Sequence, residues 1–289
     1  MFWKFGVADL VFLDHVGDKK MVLDLGCGTG GSTLFLAGKG KADWIIGIDL
    51  SKDMIRVAKK KAADTGLGNK TCFIVCDGRR LPFKPSLFDS LISRGDAFCF
   101  LVPLNNTVQE LKSMMKPGGV IVLEMDNRVD WKPGTTLSTG FQKTREGQIA
   151  YLITAFTKKR DYTSVSYILN PDSKIAKDVT NDSEFREKGY KASKCPLQDV
   201  KKEVIKTRRG SPTHWPSRKA LTTLFKRNGF TGVQVMGDGL LMKLLLEGDR
   251  LIIEAMKKNP QLFFEIEKRL VPYVNPNNAP TMILRATAP

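Results

Sequence analysis

The sequence predicts an α/β fold built on a doubly wound, mostly parallel sheet, and three observations carry that reading. An apolar run, Met21-Val22-Leu23, passes through Asp24 into glycines at Gly26, Gly28, Gly30 and Gly31 and then into Leu34-Phe35-Leu36. That pattern is a strand, a tight turn and a helix start. Two further apolar runs, Trp44–Leu50 and Cys72–Asp77, each close on an acidic residue. The strand–helix rhythm, which marks a parallel sheet, then stops near Asp126 and resumes near Ser217.

Each element follows from its residues. After the second strand, Ser51 caps a helix running through Met54, Val57 and Ala58. The third strand ends in Asp77-Gly78 and the fourth, Phe88–Ser93, runs into Arg94-Gly95-Asp96. A helix, then the chain reversal Lys116-Pro117-Gly118-Gly119, leads to the fifth strand, Val120–Met125. Ile149–Phe156 and Tyr162–Leu169 are rich in β-branched and aromatic residues and predict a two-stranded unit. The polar stretch to Lys191 reads as loop with a short helix, and Val200–Thr207 as another strand. Ser217 caps a helix over Arg218–Asn228 closed by Gly229, and Val233–Met236 is a sixth strand. Leu251–Leu270 is helical with an interruption near Asn259-Pro260, and Thr281–Thr287 is the last strand. The chain thus divides into residues 1–126, an inserted α+β cap over 127–216 after the fifth strand, and residues 217–289 that complete the sheet.

The glycine loop exposes backbone N–H groups to a ligand, and two cofactor classes use such a loop. Gly26, Gly28 and Gly31 fit the dinucleotide pattern G-x-G-x-x-G. Asp24 argues against it, because a carboxylate is awkward beside a pyrophosphate and suits a ligand carrying ammonium and sulfonium groups. Asp49 lies 19 residues past Gly30, where a carboxylate can accept hydrogen bonds from both hydroxyls of a ribose.

With Asp24, Gly26, Gly28 and Gly30 in the order D-x-G-x-G-x-G, the chain resembles the class I S-adenosylmethionine-dependent methyltransferases. The resemblance extends over residues 21–126 through Asp49, Asp77, Leu81-Pro82-Phe83, FDSLIS and KPGGVIVLEM. It implies a seven-stranded Rossmann-like sheet whose last strand is antiparallel and lies between the fifth and sixth. It also implies S-adenosyl-L-methionine as cofactor and S-adenosyl-L-homocysteine as product. Asp49 would hold the adenosine ribose and Asp77 would accept from the adenine amino group. Cys27, Leu50, Gly78, Arg79 and Arg94, in the same loops, join the expected cofactor set. Met54 either packs on the adenine or belongs to the core.

Substrate-facing residues are expected after the fourth and fifth strands and on the cap. Arg94–Phe98 is similar to the turn after the fourth strand in glycine and sarcosine N-methyltransferases, with Asp96 where those have asparagine; Asn127-Arg128 is similar to another of their segments in altered order. Arg128 either pairs with a substrate carboxylate or is a surface arginine. His214 could relay a proton and Trp215 could stack on a substrate, against structural roles for both. Tyr151, Tyr162 and Tyr167 line the lid or form strand core. Asp96 and His214 are the catalytic candidates; an amine nucleophile beside a sulfonium needs no dedicated base.

Composition bounds the alternatives. Hydrophobic content of 42% and charged content of 26% are those of a globular protein, and no apolar run reaches 18 residues, so no membrane span is expected. The N-terminal stretch is interrupted by Lys4, Asp9 and Asp14, lacks a signal-peptide core and predicts a short helix covering the cofactor pocket. Five cysteines without C-x-x-C spacing and only His15 and His214 argue against zinc, for reduced thiols including Cys72 and Cys76 on one buried strand face, and for a cytoplasmic protein. The net charge of +16 permits nucleic-acid contact. Residues 127–216 hold 18 Lys and Arg against 10 Asp and Glu, so half of that excess sits in the cap. Three readings follow: a methyltransferase acting on a small molecule such as an amine or amino-acid-like compound, an RNA methyltransferase, and a non-catalytic cofactor-binding module. The fourth-strand turn lacks the [DNS]-P-P-[FYW] motif of amino-directed nucleic-acid enzymes, which favours the first. The sequence does not set the oligomeric state.

Overall fold

The computed structural model describes residues 14, 16, 19–39, 42–128, 132, 134–144, 146–239, 251, 254, 258–277 and 279–289. The chain enters at β1 (Lys19–Leu25), turns through the glycine loop into α1 (Gly31–Gly38), and continues as β2 (Ala42–Asp49), α2 (Lys52–Asp64), β3 (Thr71–Val75) and β4 (Phe88–Ser93). A 3-10 turn (Ala97–Phe100), α3 (Leu104–Met114) and β5 (Met115–Asp126) follow. Then come β6 (Thr135–Lys143), β7 (Ile149–Phe156), β8 (Asp161–Leu169), α4 (Lys174–Asn181), α5 (Ser183–Lys188), β9 (Tyr190–Ala192), α6 (Leu197–Lys202), β10 (Val204–Arg209) and β11 (Thr213–His214). The chain ends with α7 (Arg218–Arg227), β12 (Thr231–Asp238), α8 (Pro260–Leu270) and β13 (Thr281–Thr287). Two compact units result: Met1–Val129 with Pro216–Pro289, and Asp130–Trp215.

The first unit is a seven-stranded sheet in the order β12-β13-β5-β4-β1-β2-β3. β3, β2, β1, β4 and β5 pair in parallel, and β13 runs antiparallel between β5 and β12, as the sequence resemblance implied. The chain winds outward in both directions from β1, so the crevice beyond the carboxyl ends of β1 and β4 is where such sheets bind ligands. Local sequence explains the helices. Ser51 Oγ accepts from Met54 N at 3.3 Å to cap α2. Ile55, Ala58 and Ala62, at i, i+3 and i+7, then bury one face against Phe73, leaving Met54 and Val57 exposed. Ser217 Oγ caps α7 through Ala220 N, and Leu221, Leu224 and Phe225 face inward.

Three local differences have physical causes. β3 stops at Val75, two residues short of Asp77; as an edge strand it leaves Cys72 and Cys76 half-buried rather than within a core face. β5 begins at Met115, not Val120, because Met115 already pairs with Phe88 while Ser90 pairs with Val120. The residues between loop out as a bulge, with Gly118 at φ 74°. The expected N-terminal helix and the first part of the expected 251–270 helix lie largely outside the described residues. From Pro260 onward the latter is present, with Asn259 Oδ1 accepting from Leu262 N and proline at its first position. No helix among the described residues is long and apolar enough to cross a membrane.

The second unit is larger in sheet than expected. The two anticipated strands are the centre of a six-stranded antiparallel sheet, β10-β8-β7-β6-β9, with β11 also on β8. Its helices α4, α5 and α6 supply Ala176, Val179, Phe185 and Val200 to a core completed by Phe141, Tyr151 and Leu169. Val200 therefore sits in a helix and the strand starts at Val204, because Pro196 opens a helical turn that the β-branched composition of Val200–Thr207 disguises.

A buried acidic group in the first unit makes stability pH-dependent. Asp238, at the end of β12, is 5% exposed, and burial followed by the nearby Glu267 raises its pKa to about 7; Glu124 adds to the rise, while Gly239 N and Arg94 oppose it. The folded protein then holds a proton between about pH 4 and pH 7 that the unfolded chain has released, so stability falls as pH rises through that window and levels off above it. Asp238→Asn mimics the protonated state and keeps an acceptor for Gly239 N. In urea unfolding it should exceed the parent by on the order of 1–3 kcal/mol at pH 7.5 and by much less at pH 4.5. A constant difference between variant and parent across that range would show that Asp238 does not bind this proton.

Candidate active site

The glycine loop is held from beneath and open above. Gly26 N and Cys27 N both donate to Ile48 O of β2, at 2.9 and 2.8 Å. Gly26, at φ 75°, cannot carry a side chain, since a Cβ would lie 2.3 Å from that of Ala97. Gly28, at φ 53°, has nothing within 4 Å of the position a Cβ would take. The space in front of Gly28 is therefore a cradle that only a glycine leaves clear for a ligand. Its N–H donates to Asp49 Oδ2 at 2.9 Å, while Asp49 Oδ1 accepts from Ser51 N at 2.8 Å. One carboxylate thus ties the loop after β1 to the turn after β2.

The apolar side of the site lies beside this acid. At the carboxyl ends of β2 and β3, Leu50 is 68% and Val75 49% exposed, with Met54 in the first turn of α2 at 44%; Phe100, in the 3-10 turn after β4, is 48% exposed. Asp49 is the register partner of Val75. Val75 and Phe100 were not singled out in the sequence, because apolar residues in an all-apolar parallel strand or after a turn give no sign of which ones face solvent.

Several expected site residues act by supporting the loop. Asp24 is 1% exposed, and its carboxylate accepts from Thr33 Oγ1 of α1 at 2.6 Å, so it braces the loop from behind rather than offering a charge to solvent. Thr33, buried in the first turn of α1, was missed since threonine there reads as an ordinary helix residue. Gly30 and Gly78 are packing glycines: added Cβ atoms would meet Phe73 at 2.9 Å and Leu25 at 2.9 Å. Cys27 is buried, and burial, with Asp24 and Asp49 nearby, pushes its thiol far above the usual range, so it is no nucleophile. Arg94 Nη1 donates to Ser32 Oγ at 2.9 Å. Asp77 is clasped by Arg79, whose Nε and Nη2 reach the two carboxylate oxygens at 2.9 and 2.7 Å. This clasp holds the Asp77 carboxyl below its usual pKa range.

After β4 and β5 the structure brings Asp96 and Arg128 together. Asp96 adopts φ 67°, uncommon for aspartate and a form of backbone strain that concentrates at functional sites. Its Oδ1 accepts from Asp126 N at 2.6 Å and its Oδ2 from Arg128 Nη2 at 3.3 Å. Arg128 also pairs with Asp126 at 2.9 Å, and Gly95 N donates to the buried Glu124 at 2.7 Å. Arg128 is therefore held by two of the protein's own acids. Asn127 is spent on structure instead: its Nδ2 donates to Pro276 O and Ala279 O at 2.6 and 2.9 Å.

The remaining candidates belong to the second unit. Of the two roles left open for Tyr151, lid or strand core, the second holds: it is 1% exposed in the core, with its hydroxyl donating to Cys195 O at 2.9 Å. Trp215 is 4% exposed with its ring against Tyr162 at 5.6 Å, so no face is open for stacking. His214 remains partly exposed, and its Nδ1 is 2.8 Å from Asp161 Oδ1, which orients the ring.

Comparison with known proteins agrees with this geometry. Residues 22–119 match the family model described as a methyltransferase domain. The chain is 32% identical over 124 residues to the ubiquinone/menaquinone biosynthesis C-methyltransferase UbiE of Methylococcus capsulatus, covering 42% of this chain and 48% of that protein. It is 36% identical over 104 residues to the chloroplastic tocopherol O-methyltransferase of Arabidopsis thaliana, covering 36% of this chain and 29% of the relative. The chain thus spans about half or less of the length of these curated relatives. In fold it is similar to the CcbJ methyltransferase from Streptomyces caelestis, with a TM-score of 0.60 at 13% identity, covering 98% of this chain and 95% of that one. The strand order with its antiparallel β13, the glycine loop joined to Asp49, and the methyltransferase-domain match over residues 22–119 give the first unit the fold of class I S-adenosylmethionine-dependent methyltransferases.

Proposed function

We propose that the first unit binds S-adenosylmethionine at the carboxyl ends of β1, β2 and β4 and transfers its methyl group to a small-molecule acceptor. The observation that carries this is the Asp49 carboxylate, joined to Gly28 N and Ser51 N beside a loop with open space at Gly28. Each Asp49 oxygen accepts one of these backbone N–H groups, leaving further lone pairs for ribose hydroxyls. Leu50, Met54 and Val75 offer the apolar surface a purine needs, and Asp77 is the acceptor for its amino group. When bound, the cofactor supplies an electrophilic methyl carbon on a sulfonium.

The protein's own part is alignment and charge. Asp24 fixes α1 through Thr33 and so holds the loop in place. Asp96 and Asp126, with Arg128 between them, give the acceptor side an acidic character that suits an amine over a carboxylate substrate. An acceptor nitrogen methylated there would give up its proton to a base, for which Asp96 is the candidate. The charge of +16 keeps an RNA acceptor as the second reading.

Two measurements test this. Asp49→Ala should weaken S-adenosylhomocysteine binding by about 1–3 kcal/mol, the cost of losing hydrogen bonds to a charged acceptor; unchanged affinity would remove Asp49 from the site. Labelled methyl groups should appear in the small-molecule fraction of a cell extract, with a rate that changes little between 50 and 200 mM salt, whereas RNA bound through several phosphates would lose about 10³-fold or more in affinity over that range. Incorporation into RNA alone, with a steep salt slope, would overturn the small-molecule assignment.

A further inference from the structure

Arg79 and Asp77 form a pair whose saturation has a bearing on nucleoside recognition, and this inference rests on the cofactor reading above. Asp77 lies just past the end of β3, and Arg79 donates to it four times: from its backbone N to Oδ1 at 3.0 Å, from Nε to Oδ1 and Oδ2 at 2.9 and 3.1 Å, and from Nη2 to Oδ2 at 2.7 Å. A carboxylate offers about four lone-pair sites, so this one guanidinium with its own amide fills the acceptor. The pair is partly exposed, Arg79 at 48% and Asp77 at 34% of their side chains, with Arg80 the other cation acting on the acid. Exposed ion pairs contribute little, so a ligand can displace the guanidinium.

We propose that Arg79 is a specificity-determining residue for the cofactor's base: it competes with a purine amino group for Asp77, and once displaced it can donate to an acceptor at the same base edge. The pair then presents both an acceptor and a donor to the purine. A 6-amino base gains Asp77 by displacing Arg79, whereas the 6-oxygen of a 6-oxo base is itself an acceptor, which the bare carboxylate repels and Arg79 bonds, leaving N1–H as that edge's one donor to Asp77. Removing the guanidinium should therefore sharpen discrimination.

The test is calorimetric titration of the intact protein and of Arg79→Ala and Arg79→Lys with S-adenosylhomocysteine and with its 6-oxo analogue, S-inosylhomocysteine. Arg79→Ala should bind the amino ligand up to about fivefold tighter, the scale of an exposed pair, and the oxo ligand more weakly. Arg79→Lys, charged but without the planar fork, should fall between. Opposite shifts are a signature that a merely structural loop residue would not give. Equal weakening of both ligands, or no change in either, with unaltered melting temperature, would overturn the role of Arg79 while leaving the cofactor reading intact. Failure of the parent protein to bind S-adenosylhomocysteine would overturn both.

Discussion

One carboxylate sits at the carboxyl end of β2 beside the glycine loop, and the site depends on it. Asp49 accepts from the backbone of the glycine loop with one oxygen and from the turn entering α2 with the other. The first loop is largely glycine, and the second is the two-residue turn Leu50-Ser51. Asp24 makes the complementary connection from below, through the Thr33 hydroxyl to the first turn of α1. Between them the two acids set where backbone N–H groups point, and this preorganisation is what a site for an uncomplicated displacement requires.

The charge distribution separates the sheet's functional end from the outer faces. The chain as a whole carries +16, yet the carboxyl ends of β4, β5 and β12 gather Asp96, Glu124, Asp126 and Asp238, with Arg94 and Arg128 as the basic groups named among them. A basic composition thus describes the protein's outer faces, including the exposed Lys206, Arg208 and Arg209 of β10, and not the chemistry at the sheet's functional end. Lysine and arginine on an edge strand also discourage pairing with other chains. Net charge speaks to solubility and encounter, and the local acids speak to what the site would hold.

The first unit was legible in the sequence because its signals are covalently local. Apolar strands ending in acids, glycines at fixed spacing and serine caps each need only a few neighbouring residues to be recognised, and β4 and β13 have the very boundaries their residues imply. The second unit was less legible. β6, TTLSTGFQK, is polar and half-exposed, so it lacks the apolar content that marked β7 and β8, and only pairing with β7 makes it a strand. Side-chain exposure was the hardest quantity to read. Tyr151 and Trp215 carried the chemistry of ligand contacts and turned out to be core, whereas Val75 looked like core and lies open. In both cases the answer is fixed by which neighbour packs against the residue, which is long-range information that neither residue type nor spacing contains. The bond from Thr33 to Asp24 was hidden for the same reason, since Thr33 is recognised as its partner only once α1 is laid against β1.

The most direct measurement of the central claim is a titration followed by backbone amide NMR. Adding S-adenosylhomocysteine should shift the amides of Gly28, Asp49, Leu50 and Val75 and leave Tyr151 and its neighbours in the second unit's core unmoved, while NAD leaves the spectrum unchanged. Shifts of the glycine-loop amides by NAD, with none from S-adenosylhomocysteine, would contradict the account.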